Sequence, residues 1–262
     1  INTEIYEDLS KDNSSDKYEF ILPNFSLSKI LDTSFEGSME ISSSGYNKLY
    51  DTNINEKILI NNLSYKSQDS IKNSGLINNY EFLFKNFNAD SKNSSNFKNK
   101  SENNLRGIFQ FNSKFPLQKS GENYLSTLTP IFVAKFNPQS NKNINNEERL
   151  IDYSNIYSID RLSSSTTLEG GESITIGNEY KLFNNIDKSS EIFSLNLAGS
   201  FRVDENFDLP KSSYISQKTS NLVGQSKIKL NEFLDLEYDF LSDNNLGQFH
   251  YHNINSKIKI NN

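Results

Sequence analysis

What most constrains this chain is an alternation of apolar and polar residues with a period of two, recurring from end to end, while apolar residues at helical spacing are hard to find. The clearest run places Phe193, Leu195, Leu197, Gly199, Phe201 and Val203 against Ser194, Asn196, Ala198, Ser200, Arg202 and Asp204. Successive side chains of a strand point to opposite faces, so such a segment has one greasy side and one polar side. Leu234, Leu236, Tyr238 and Phe240 repeat the pattern against Asp235, Glu237 and Asp239. Shorter examples are Tyr80, Phe82 and Phe84; Phe109 and Phe111; Phe132, Ala134 and Phe136; and Ile174 and Ile176. Between the runs lie clusters of Asn, Ser, Asp, Lys and Gly, among them a predicted tight hairpin from Ser242 to Gly247. Strand, turn and strand at this cadence predict an all-β, antiparallel up-and-down meander of roughly a dozen strands.

Two architectures suit such a meander, a soluble β-sandwich and a transmembrane β-barrel. No apolar run reaches the roughly 18 to 20 residues of a membrane-spanning helix. A mean hydropathy of −0.66 does not speak against a barrel, because only alternate residues face lipid. The apolar faces are rich in aromatics, with 19 Phe, 13 Tyr and no Trp, and the opposite faces carry full charges. Several runs last about nine to eleven residues, the length of a tilted strand that crosses a bilayer. These features favour the transmembrane barrel over the sandwich. A net charge of −6 offers no basic stripe for nucleic acid, and the absence of Cys removes disulfides, thiolate metal sites and cysteine nucleophiles. The chain opens on Ile1 with no basic segment and apolar core after it, which reads as an internal fragment.

No composition shift marks a boundary, so residues 1–262 are expected to form a single domain. Two segments interrupt the rhythm. Asn86 to Asn104 is nearly all polar and predicts a solvated loop, whereas Pro138 to Ser173 holds no convincing strand and reads as a functional stretch. Pro23 is expected to end a strand. Pro130 removes a ladder hydrogen bond from an alternating run, predicting either a strand terminus near the rim or a local weak point.

The inventory of reactive groups is thin. His250 and His252 share a predicted strand face but have no third ligand near them in sequence, so they read as exposed strand histidines. Glu147 and Glu148 sit in the long loop, where a solvated turn is the default reading. There is no phosphate-cradling Gly-x-x-x-x-Gly-Lys and no Gly-x-Ser-x-Gly elbow. Gly170-Gly171 precedes a strand rather than a helix and predicts a positive φ or a bulge. No catalytic residue, metal site or cofactor is predicted, and nothing argues for an enzyme.

Several pieces recur in a particular order. An acidic-Ser turn precedes a strand with Leu22-Pro23 within Ile5–Lys29; Leu128-Thr129-Pro130 opens a second element; and Asn155, Asp160-Arg161, Glu169-Gly170-Gly171 and Gly177 follow. Residues 220–246, SNLVGQSKIKLNEFLDLEYDFLSDNNL, close the series with two strands. In this order the pieces resemble the barrel region of the LPS-assembly outer-membrane protein family (LptD/OstA). The resemblance implies the middle portion of a very large barrel in the outer membrane of a Gram-negative bacterium. That barrel would insert lipopolysaccharide into the outer leaflet. Implied partners are lipopolysaccharide, an LptE-type lipoprotein plug, a periplasmic LPS bridge protein and membrane lipid. A saccharide headgroup needs a polar lumen, for which Asn196, Ser200, Asp235, Glu237 and Asp239 are the candidates. The alternatives are a generic outer-membrane diffusion porin and a soluble β-rich binding module.

Overall fold

The computed structural model describes residues 1–11, 15–51, 53–184, 190–212, 214–231 and 233–259. Of the acidic-Ser turn expected before the first Leu-Pro strand, Asp12, Asn13 and Ser14 lie outside these residues. The alternation folds as its period dictates. In chain order the strands are β1 (Asn2–Glu7), β2 (Tyr18–Leu31), β3 (Gly37–Tyr50), β4 (Ile54–Ser67), β5 (Ser70–Ile71), β6 (Ile77–Lys92) and β7 (Glu102–Lys114). Then follow β8 (Leu117–Ser120), β9 (Tyr124–Asn137), β10 (Gly171–Asn184), β11 (Glu191–Arg202), β12 (Leu222–Lys229), β13 (Leu234–Ser242) and β14 (Phe249–Ile258). The only helix among the described residues is a 3₁₀ turn at Ser15–Lys17. Twelve strands pair in the order β1-β2-β3-β4-β6-β7-β9-β10-β11-β12-β13-β14, with β5 on β6 and β8 on β9. This is the all-β antiparallel meander expected from the alternation, and it is consistent with part of a barrel. The order ends at β1 and β14 without closing.

The chain divides into two compact units. The first comprises Ile1–Gln68, Glu81–Ile108 and Ser163–Leu168. In it Ile58, Phe87 and Ala89 are buried, with Tyr46, Ile60 and Phe97 packed against them. Phe97 stacks on Phe87 at 6.0 Å between centroids. The buried Glu56 carboxylate accepts from Tyr50 Oη (2.9 Å), Ser94 Oγ (2.5 Å) and Asn96 Nδ2 (3.2 Å). Asn86 to Asn104 is therefore not a solvated loop. Its two ends belong to β6 and β7, and only residues 93–101 connect them. The polar composition misleads here because every second residue of β6, Lys85, Phe87, Ala89 and Ser91, is buried whatever its polarity.

The second unit comprises Asp69–Tyr80, Phe109–Leu162 and Glu169–Asn262. Its burial is inverted relative to a water-soluble sheet. Phe132, Phe136, Ile174, Ile176 and Phe201 are exposed, whereas Lys135, Asn137, Ser173, Thr175, Ser194, Asn196, Ser200 and Arg202 are buried. Directly paired residues share a face, so the register carries this polar face across the unit: Glu179↔Asn196, Asn196↔Gln225, Gln225↔Asp239 and Asp239↔Asn253. One row departs from it. Ile131, Gly177, Ala198, Val223, Leu241 and Tyr251 stand opposite one another across six strands, β9 to β14. Ile144, Ile151, Ile156 and Leu162 from residues 138–170, together with Leu209 and Ile215 from residues 203–221, pack with Ala198, Val223 and Leu241 of that row into one core. The hydrophobic core of this unit thus lies on its polar face, between the sheet and two long connections.

Neither proline ends its strand. Pro23 lies inside β2, where the register shifts against both neighbouring strands. Pro130 lies inside β9, and the adaptation falls on its partner. The pairing of β7 stops at Lys114↔Ile131 and that of β8 starts at Leu117↔Leu128. Phe115 N still donates to Pro130 O at 3.1 Å. The missing proline N–H faces the interruption between β7 and β8, so the weak point is realised as a broken partner strand.

Candidate functional site: a loop locked onto the polar face

The long connection from β9 to β10 crosses the polar face and is held there by charge. Arg161, 2% exposed, grips Glu169 through two bonds, Nε to Oε2 and Nη2 to Oε1, both 2.6 Å. Its remaining donors reach the strands: Nη1 to Ser200 Oγ (2.9 Å) and Thr175 Oγ1 (3.3 Å), and Nη2 to Ser173 Oγ (3.2 Å). Arg202 of β11 joins from the other side, donating to the Glu169 carboxylate and to the Gly170 carbonyl. Asn137 Nδ2 holds the Glu169 carbonyl at 2.8 Å. A planar guanidinium facing a carboxylate through two bonds is the strongest arrangement available for such a pair. Burial pushes the Glu169 carboxyl up, but the charge and hydrogen bonds of Arg161, with Lys135 and Arg202 beside it, override burial and hold it down at about 2.

The glycines of this region serve close approach. Gly171 has φ near +87°, and a Cβ there would meet the Arg202 guanidinium. A Cβ at Gly170 would sit 2.6 Å from the Gln139 carbonyl oxygen. Gly177, in the apolar row, leaves the space that the Tyr157 hydroxyl occupies. Tyr157 meets Tyr153 edge to face at 5.7 Å, and Tyr153 Oη donates to Glu179 Oε1 at 2.9 Å. Burial pushes both phenols well above their ordinary value. Asn155 shapes the turn that delivers them: its Oδ1 accepts from Asp152 N (3.1 Å) and its Nδ2 donates to Leu150 O (3.0 Å). The Tyr157 carbonyl accepts from Gln110 Nε2 at 2.9 Å, and the Ser158 carbonyl accepts from Lys135 Nζ.

The residues singled out in the sequence fall into three places. Asn155, Asp160, Arg161, Glu169, Gly170, Gly171 and Gly177 belong to this docked loop and its seat. Leu128 and Pro130 do not join them: they stand on the outward face of β9, where Leu128 is exposed. Asn196, Ser200, Asp235, Glu237 and Asp239 share the polar face by register. Asn196 and Ser200 are buried, and Glu237 and Asp239 both accept from Gln225 Nε2 at 2.9 Å. Sequence reasoning missed Arg202, Asn137 and the two tyrosines. It also missed the apolar row, whose signal was present as Ala198, Val223 and Leu241 at polar positions of alternating strands. His250 and His252 lie on β14, where His252 Nδ1 is 2.7 Å from Tyr238 Oη.

A buried ion pair holds a loop across a polar sheet face, and the other face is a wall of exposed aromatic and aliphatic side chains. No curated protein matches the chain. The family described as "LptD: LPS transport system D" matches residues 78–261, which is more than half of the chain and includes the whole docked loop with the strands beneath it. With the ordered motifs and the antiparallel meander, this match shows that the chain belongs to the LptD family, a component of lipopolysaccharide transport and assembly.

Proposed function

We propose that the chain is part of an outer-membrane barrel that inserts lipopolysaccharide into the outer leaflet, with the polar face turned to a water-filled lumen and the aromatic face to lipid. The observation that carries this reading is the inverted burial of the second unit. On its strands Phe132, Phe136, Ile174, Ile176 and Phe201 are outside and Lys135 and Arg202 inside, the distribution a bilayer demands and water penalises. The connection lengths support an orientation. Short connections join β8 to β9, β10 to β11 and β12 to β13 at one end, whereas the long ones join β9 to β10 and β11 to β12 at the other, beside a short one from β13 to β14. Barrels of this class have short periplasmic turns and longer extracellular loops, so the docked loop enters from the outside.

In this reading the saccharide headgroup passes along the part-exposed Asp235, Glu237 and Asp239, while Asn196 and Ser200 are buried, Ser200 in the seat of Arg161, and the acyl chains leave through a separable seam between strands. The Arg161–Glu169 lock keeps residues 138–162 folded inward, leaving a defined path beside them. The periplasmic bridge protein supplies the lipid, and a lipoprotein partner occupies the lumen. No covalent step is needed.

The reading is tested in cells with the full-length protein. A photo-crosslinking residue is placed in turn at Asp235, Asp239, Leu236 and Phe240. Lipopolysaccharide adducts at the first two and phospholipid adducts at the last two are expected. An outer-membrane protein with no lipopolysaccharide adduct at either aspartate position would instead be a diffusion porin.

A further inference from the structure

At the short-turn end of the same polar face no connection among the described residues packs over the sheet, and a cavity of about 400 Å³ lies there. Lys227, Lys229, Lys257 and Lys259 line it, together with Glu191, Asp235 and Glu237. The lysines are placed there by register rather than by chance clustering in sequence. Lys227 pairs with Glu237 and Lys229 with Asp235 across β12 and β13, and Asp235 pairs with Lys257 on β14. Lys181 of β10 extends the row through Ser194. Four lysines thus outnumber three carboxylates around the cavity, a local positive excess on a chain whose net charge is −6.

Their present partners hold them loosely. Lys227 reaches Glu237 at 3.3 Å and Lys259 reaches Asp235 at 3.5 Å, each pair part-exposed to solvent. Lys229 donates to Ser190 Oγ at 3.0 Å. Lys257 has no ion-pair partner among the described residues. Exposed pairs of this kind contribute little, about 0 to 1 kcal/mol, so they do not oppose exchange for a doubly charged anion. A phosphomonoester offers several acceptor oxygens, and an ammonium binds it as a point charge with three donors. Glu237 at the inner edge of the cavity and Asp239 just beyond it would repel a phosphate that moved further in, while their hydrogen-bonding neighbours Gln225 and Asn253 suit sugar hydroxyls.

From this geometry we infer a phosphate-binding site at the short-turn mouth of the polar face, formed by Lys227, Lys229 and Lys257, that receives the phosphorylated sugar headgroup of an incoming glycolipid. The inference rests on the lumen reading proposed above and adds the group that is recognised and where. Lys229 and Lys257 supply the charge that is not already paired with a carboxylate, so they are the residues to change.

The test uses the full-length protein with its partners in proteoliposomes and a photo-crosslinking residue at Asn255, which lines the cavity. The probes are lipopolysaccharide and the same material after phosphatase treatment. Wild type is expected to give roughly tenfold more adduct with the phosphorylated probe per lost charge-assisted contact. The Lys229→Gln/Lys257→Gln variant is expected to lose that preference while, in a parallel preparation with the photo-crosslinking residue at Asp239, still forming adducts there. A variant that keeps the preference, or a wild type without one, overturns the site and leaves the transport reading standing. If inorganic phosphate alone, at millimolar concentration, abolishes the preference, the site takes the free ion rather than a headgroup, and the inference fails. If neither probe gives adducts at Asn255 or Asp239, the lumen reading itself falls and takes the site with it.

Discussion

The two ends of one polar face use the same kinds of charge to opposite effect. Where the long connections cover the sheet, Arg161 and Glu169 are dry and joined by two 2.6 Å bonds. Where the short turns leave it open, Lys227–Glu237 and Lys259–Asp235 are longer and wet. Desolvation makes the difference. A buried pair is costly to break because the remaining partner keeps its charge without compensation, whereas an exposed pair exchanges its partner for water or a ligand at little cost. One end is built to stay and the other to let go.

Removing one side of the dry pair should have the largest effect. Arg161→Ala is predicted to destabilise the full-length protein by about 3–5 kcal/mol, read by urea unfolding in detergent, with earlier proteolysis within residues 138–162. A loss no greater than that from an exposed lysine would erase the distinction between the two ends. Acid should act on the same pair. The Glu169 carboxyl is held at about 2 against an ordinary value of 4.5. Its folded pKa is depressed, so its contribution is complete above about pH 4.5 and is lost as pH falls toward 2. Protection of residues 138–162 from protease, followed over that range, should decline in wild type. In Glu169→Gln the decline should be absent, because the group that titrates is gone.

A smaller effect is expected where the loop meets the apolar row. Gly177→Ala places a methyl where the Tyr157 hydroxyl sits and should cost about 1–3 kcal/mol. Adding Tyr157→Phe removes the colliding oxygen and should recover part of that loss. Equal stability of the single and double variants would show that the row does not seat the loop through this contact. The smallest effect belongs to the open end. Lys227→Gln should change stability by less than about 1 kcal/mol, and raised salt should shrink even that. A larger, salt-independent loss in the same unfolding assay would mean that this end is as dry as the other.

Much of this was legible in the sequence. The alternation at Phe193–Val203 and Leu234–Phe240 identified strands, faces and the antiparallel meander, and the order Asn155, Asp160-Arg161, Glu169-Gly170-Gly171, Gly177 identified the family. Some of it misled. Asn86 to Asn104 looked like a loop because polarity was taken as exposure, yet Phe87, Ala89 and Ser91 are buried in β6. The prolines looked like strand ends because a missing N–H was expected to stop the strand carrying it. At Pro130 the neighbouring strand is interrupted instead, between Lys114 and Leu117.

What the sequence by itself determined is the pleat: a period of two is a local property of the backbone, so six residues suffice to sort side chains onto two faces. Only the tertiary structure decided which face the long connections cover, and where. Ile131 and Tyr251 meet in one row because six strands align in register, and Arg161 finds Ser200 because a loop folds back across them. Such contacts depend on the sum of several registers and on the desolvation of a charge by distant residues, and no local window of sequence contains either.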